Sequence, residues 1–132
     1  MAGIRNGKEL LVTMKNSLGA GAAIFKALQK EEINVIASSG FQHGDEVHVS
    51  IVPDNFEAAK AVLDGQGVEY AEQNVLLVEM PNQAGAFATL LQQIAELDVN
   101  IFSAYATTTV KLSALAVLTT DNDAKVVEAL SD

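Results

Sequence analysis

The chain contains no cysteine, which excludes disulfide bonds and thiolate chemistry and permits a reducing compartment. It is also poor in positive charge, with 8 Lys and Arg against 17 Asp and Glu and a formal net charge of −9. Nucleic acids are held by clustered Lys and Arg that neutralise phosphates, and anionic membrane surfaces make the same demand, so this balance argues against both as partners. No apolar run approaches the ~20 residues of a spanning helix. The opening MAGIRNGKELLV has no apolar segment of signal-peptide length. A cytoplasmic protein is the expectation. There is no phosphate-binding glycine loop and no nucleophile-elbow motif, and no feature asks for a cofactor.

What the chain does have is apolar content and a repeat. Hydrophobic residues make up 49% of it, ample for a core and the opposite of a disordered composition. The stretch from Glu79 to Ile101, EMPNQAGAFATLLQQIAELDVNI, falls without a gap on TMKNSLGAGAAIFKALQKEEINV, about 66 residues earlier. Val12, Met14, Asn16, Gly19, Ala20, Ala22 and Asn34 recur as Val78, Met80, Asn82, Gly85, Ala86, Ala88 and Asn100. Units this short bury little surface alone, so two copies sharing an interface are expected: a polar leader over 1–7, one copy over 8–73 and a second over 74–132.

The hydrophobic pattern predicts the elements of each copy. Glu9–Lys15 reads as a strand, Ser17 as the N-cap of a helix from Leu18, and Ala22, Phe25 and Leu28 as its apolar stripe. Ile33–Phe41 is a second strand, turned at Gln42–Asp45. Val47, Val49 and Ile51 then alternate with polar residues as in a strand with one buried face. Phe56, Ala59 and Leu63 mark a second helix ended by Gly65 and Gly67, and Val68–Gln73 a fourth strand. The second copy opens with a strand at Val75–Met80. Its helix carries Phe87, Leu91 and Ile94, strands follow at Val99–Ala106 and Leu112–Leu118 around a turn at Thr107–Lys111, and Asp121–Leu130 is a helix. The order strand, helix, strand, strand, helix, strand predicts an α+β fold of ferredoxin-like βαββαβ units, antiparallel sheets with helices on one face. The second copy lacks sequence for a last strand. The leader, a neighbouring chain or a further segment would complete it.

Both copies resemble the ACT domain, most clearly in Pro81-Asn82-Gln83-Ala84-Gly85 and LLQQIAELDVNI. The resemblance runs from about Leu10 to Leu130 and is to free-standing tandem ACT proteins. It implies a non-catalytic regulatory protein that binds a free amino acid or similar small effector. Family members usually carry Pro before the loop glycine, where this chain has Leu18 and Ala84.

Several positions could carry that function. Gly19 and Gly85 lie at the first turn of a helix, where unpaired backbone N–H groups and the macrodipole favour an anion. Asn16, Ser17, Leu18 and Gly19, with Asn82, Gln83, Ala84 and Gly85, would receive a carboxylate there; alternatively, the glycines only permit close helix packing. Asn34 and Asn100 mark helix-to-strand junctions, where Asn tolerates a left-handed backbone and caps. The resemblance places Asn34, Val35, Asn100 and Ile101 against the effector. His43 and His48, with Asp45 and Glu46, are read as solvated hairpin residues in preference to a metal site, which needs three or four convergent ligands. Ala104, Ala106, Ala114 and Ala116 suggest a smooth surface on the sheet face away from the helices, hence a homodimer or a contact between copies. Two rival functions stay open: an interaction module without a ligand, consistent with the missing loop prolines, and a small ferredoxin-like enzyme. The first loops hold no Arg with which an acylphosphatase would bind phosphate.

Overall fold

The structure, a computed structural model, describes residues 3–108 and 111–131. Its elements are β1 (Ile4–Lys15), α1 (Ala20–Lys30), β2 (Val35–His43), β3 (Glu46–Pro53), α2 (Phe56–Gln66), β4 (Glu69–Pro81), α3 (Ala86–Glu96), β5 (Ile101–Thr108), β6 (Ser113–Thr120) and α4 (Asp123–Leu130). They form two compact units, Lys8–Gln73 and Asn74–Asp132 with Met1–Gly7. The class is α+β with antiparallel strands, as expected.

In the Lys8–Gln73 unit the strand order is β2-β3-β1-β4. Leu10 pairs with Ile51 and Val12 with Val49 across the antiparallel β1/β3 ladder, so the period-2 alternation sets four apolar side chains on one face. Ile24 and Leu28 of α1, and Ala59 and Leu63 of α2, stand four residues apart on their helices and close over that face. Each large aliphatic side chain buried here contributes roughly 1.5–3 kcal/mol. Asn55 caps α2 by accepting from the Ala58 N–H at 3.1 Å, and Gly67 ends it in a left-handed conformation, φ 68°.

The other unit has the strand order β1-β4-β6-β5. Leu76, Val78 and Met80 pair with Leu118, Ala116 and Ala114, beneath Leu90 and Ile94 of α3 and Val126 of α4. Asn122 caps α4 through the Lys125 N–H at 3.1 Å. Ile4, at the start of β1, packs against this core, and the Glu79 N–H donates to the Gly3 carbonyl at 2.9 Å. A Cβ at Gly7 would lie 2.9 Å from Leu77 Cδ1, so the strand approaches β4 more closely there than a side chain allows.

This corrects the expectation of a loose leader and a missing strand. Ile4–Gly7 belongs to β1 and supplies the fourth strand of the second unit. Arg5 and Asn6 are exposed and Gly7 bears no side chain, so only Ile4 carried an apolar signal. The strands expected at Val68–Gln73 and Val75–Met80 are one continuous β4. Helix α1 starts at Ala20 with Gly19 as its N-cap; Ser17 contributes its backbone carbonyl to the Ala20 N–H. Gly65 lies inside α2. The left-handed residues after α1 and α3 are Glu32 (φ 57°) and Asp98 (φ 61°), two positions before Asn34 and Asn100. Ala114 and Ala116 point into the helix-covered core, and Ala106 pairs with Ala116, so the alanine surface is not on the face away from the helices. Thr107 and Thr108 extend β5; of the expected turn, Thr109 and Val110 lie outside the described residues.

Candidate functional site

The two repeated loops share one geometry. The Asn16 N–H donates to the Asp45 carbonyl at 2.7 Å, and the Asn82 N–H to the Leu112 carbonyl at 2.8 Å. Asn82 Nδ2 adds a bond to the Lys111 carbonyl at 2.9 Å. These asparagines therefore tie each loop to the hairpin turn beside it. Gly19 (φ 81°) and Gly85 (φ 85°) follow in left-handed conformation and cap α1 and α3 without a side-chain hydrogen bond, whereas Asn side chains cap α2 and α4. A Cβ at either glycine meets nothing within 4 Å. Close helix packing is thus not their reason; the backbone handedness is. In both loops the first helical N–H donates to a loop carbonyl, Ala20 to Ser17 and Ala86 to Gln83 at 3.2 Å each, and no side chain caps the helix.

Asn34 and Asn100 form a second repeated arrangement. The Asn34 N–H donates to Asp54 Oδ1 at 3.1 Å and its carbonyl accepts from the Asp54 N–H at 2.9 Å. The Asn100 N–H and carbonyl do the same with Asp121, at 3.0 Å each. Sequence reasoning missed both aspartates, whose partners are 20 and 21 residues away. Within each unit these junctions lie far from the glycine loops. Lys15 pairs with Glu46 while Val35 pairs with Pro53; Pro81 pairs with Ser113 while Ile101 pairs with Thr120. Seven residues at ~3.3 Å each separate the two ends, so no single pocket of one unit holds both groups.

Cavities sharpen the picture at one loop. A recess of about 460 Å³ opens beside the β4–α3 loop, with Asn82 and Gln83 at its edge and Met80, Phe87, Ala106 and Thr108 among its lining residues. A smaller cleft of about 150 Å³ is lined by Gln83, Ala84 and Gly85. Four predicted residues, Asn82 to Gly85, therefore border concave surface. Phe87 and Ala106 had been read as helix core and smooth surface, since periodicity does not distinguish a core wall from a pocket wall. A groove of about 490 Å³ between α1 and α2, lined by Ala27, Ala58 and Ala61 among others, holds none of the predicted site residues.

Ionisable groups on β3, α2 and β4 make contacts of their own. His48 stacks on Phe41, ring centroids 5.2 Å apart, with Nε2 3.6 Å from Glu46. Among the described residues no group of three or more His, Cys, Asp or Glu is placed to hold a metal. A hydrogen bond to Glu72, 3.2 Å away, raises the Lys60 pKa, with Glu57 adding to it. The Tyr70 hydroxyl donates to Asp64 at 2.7 Å, which raises the phenol pKa.

No protein-family model matches the chain, and no curated protein does. Solved structures do resemble it. A Bacteroides thetaiotaomicron protein superposes with a TM-score of 0.88 at 23% identity, over 96% of this chain and 88% of that one. The ligand-free regulatory subunit of aspartate kinase from Thermus thermophilus gives 0.71 at 14% identity, over 98% and 95%. Its counterpart from Thermus flavus gives 0.64 at 14%, over 96% and 92%. At these identities the likeness establishes the fold, which is ACT-like and ferredoxin-like. No described helix is long and apolar enough to cross a membrane.

Proposed function

We propose that this chain is a tandem ACT protein, two ferredoxin-like repeats acting as a non-catalytic cytoplasmic sensor of a free amino acid or similar small effector, and working as a homodimer. The observation that carries this reading is the duplicated loop, a left-handed glycine at a helix N-terminus with no side-chain cap, where the macrodipole favours a carboxylate. The fold shared with aspartate kinase regulatory subunits supports it. The effector would bind at the loops and regulate by favouring one packing of the protein over another, to the extent that it binds the two states differently.

The test is a thermal-melt screen of the purified chain against the amino acids at millimolar concentration. A ligand at one hundred times its dissociation constant adds about 2.7 kcal/mol of stability, which moves the midpoint by several degrees. A selective shift is expected; a flat response across the whole set overturns the amino-acid reading and leaves an interaction module or an effector that is not an amino acid. A second reading is an interaction module without a ligand, to which the exposed apolar side chains Leu18, Phe41, Phe102 and Leu112 would contribute where they join into a contiguous patch. That alternative predicts stable oligomers with no ligand response.

A further inference from the structure

The outer faces of the two helix pairs are built differently. In the Lys8–Gln73 unit, α1 and α2 leave between them a groove of about 490 Å³ with small walls: Ala27 on α1, and Ala58, Ala61, Val62 and Gly65 on α2. The α2 positions stand at i, i+3, i+4 and i+7, so they form one stripe along the helix, and Ala61 and Gly65 are exposed. Glycine inside a helix costs stability against alanine. Yet a Cβ at Gly65 meets nothing within 4 Å, and its backbone is not left-handed. No neighbour among the described residues calls for glycine there. The repeat supplies a control. Aligned on the caps Asn55 and Asn122, α4 has Lys125 where α2 has Ala58, and Glu128 where it has Ala61. Helix α3 has Gln93 where α1 has Ala27. The same fold accepts long side chains at these places, so the bare stripe belongs to this sequence and not to the fold.

Charge divides across the groove. Helix α1 carries Lys26 and Lys30 and no Asp or Glu, although its C-cap Glu31 lines the groove beside Lys30. Helix α2 carries Glu57 and Asp64; its one lysine, Lys60, is held by Glu57 at 3.4 Å and Glu72 at 3.2 Å. In the other unit α3 has Glu96 and no Lys or Arg, and α4 sets Asp123 and Glu128 against Lys125, so both helices are net negative. Resting on the homodimer proposed above, we infer that the α1/α2 face is where a second copy of this chain docks, presenting its own α1/α2 face across a two-fold axis. Such an axis lays α1 of each copy over α2 of the other, so lysines meet acids twice, and the small stripe lets the helices approach closely. On a chain of net charge −9, self-contact is repelled where acid faces acid, as on the α3/α4 face. Helices of 11 residues are ~16 Å long. The contact therefore lies at the small end of specific interfaces, and the dimer dissociates on dilution.

Sedimentation of the full chain over a concentration series, in low and in high salt, tests this. A dimer that weakens with salt is expected. Two charge-reversed variants follow, Lys26→Glu with Lys30→Glu, and Glu57→Lys with Asp64→Lys, all at exposed positions. Each variant alone is expected to lose at least tenfold in self-affinity, and an equimolar mixture of the two to regain it, which an unfolded variant could not do. Ala61→Arg, which removes no charge, is expected to weaken the dimer as well. Glu96→Lys with Glu128→Lys, on the other helix pair, leaves it unchanged. A dimer indifferent to the α1 and α2 variants, or one that they break and their mixture does not restore, overturns this inference and leaves the homodimer standing. A parent chain that stays monomeric at every concentration overturns both.

Discussion

Glycine at position 85 is open to a direct test, because the structure separates two reasons a loop glycine can be required. Its φ of 85° lies in the left-handed region, yet a Cβ built there meets no atom within 4 Å. Gly85→Ala therefore carries no steric penalty from neighbours, and its whole cost is that of an L-residue held left-handed, roughly 1–2 kcal/mol. The comparison is Gly21→Ala. Gly21 lies inside α1 at ordinary helical φ, also with nothing within 4 Å, where alanine gains about 0.5–1 kcal/mol. Urea denaturation of the two variants beside the parent, with unchanged slope, should put their midpoints on opposite sides of it. At a slope of about 1–3 kcal/mol per molar, the gap of about 1.5–3 kcal/mol amounts to roughly 0.5–3 M. A Gly85→Ala variant as stable as the parent would refute the claim that backbone handedness holds this glycine.

Replacing Asn55 or Asn122 by Ala removes a side-chain cap and should cost about 1 kcal/mol each, read by the same denaturation. Deleting residues 1–7 removes Ile4 from its place against the core and leaves the Glu79 N–H without its partner; the shortened chain should lose stability and bind a dye for exposed apolar surface. Ultraviolet titration should show Tyr70 ionising above the usual phenol value near 10.0, and Asp64→Ala, which removes both the acceptor and the charge, should lower it. The Tyr70–Asp64 hydrogen bond favours the neutral phenol in the folded state. Its contribution is therefore full below the unfolded pKa and fades as pH rises through the folded one; the opposite trend would refute it.

Much of the fold was readable from residues alone. The alternation of Val47, Val49 and Ile51, and the three- and four-residue spacing of apolar positions in the first three helices, follow from side-chain direction in strands and helices, which is a local property. What misled were positions whose role is set by a distant partner. Ile4–Gly7 is strand because β4 lies beside it. Ser17 leaves the cap to Gly19 because the loop is pulled to the hairpin turn through Asn82 and its counterpart Asn16. The aspartates that hold Asn34 and Asn100 are far along the chain, and nothing local announces them.

For the candidate site the division is similar. The sequence by itself determined the repeat, the α+β class, and the two loop glycines, because composition, periodicity and self-similarity are written along the chain. Only the tertiary structure decided that the glycine loops and the Asn34 and Asn100 junctions stand at opposite ends of their strands. It alone showed that Phe87 and Ala106 border a recess, and that the chain's first residues complete the sheet of its last unit. Each of these depends on which strands become neighbours and in what register, a global outcome of burying two apolar faces that no window of sequence contains.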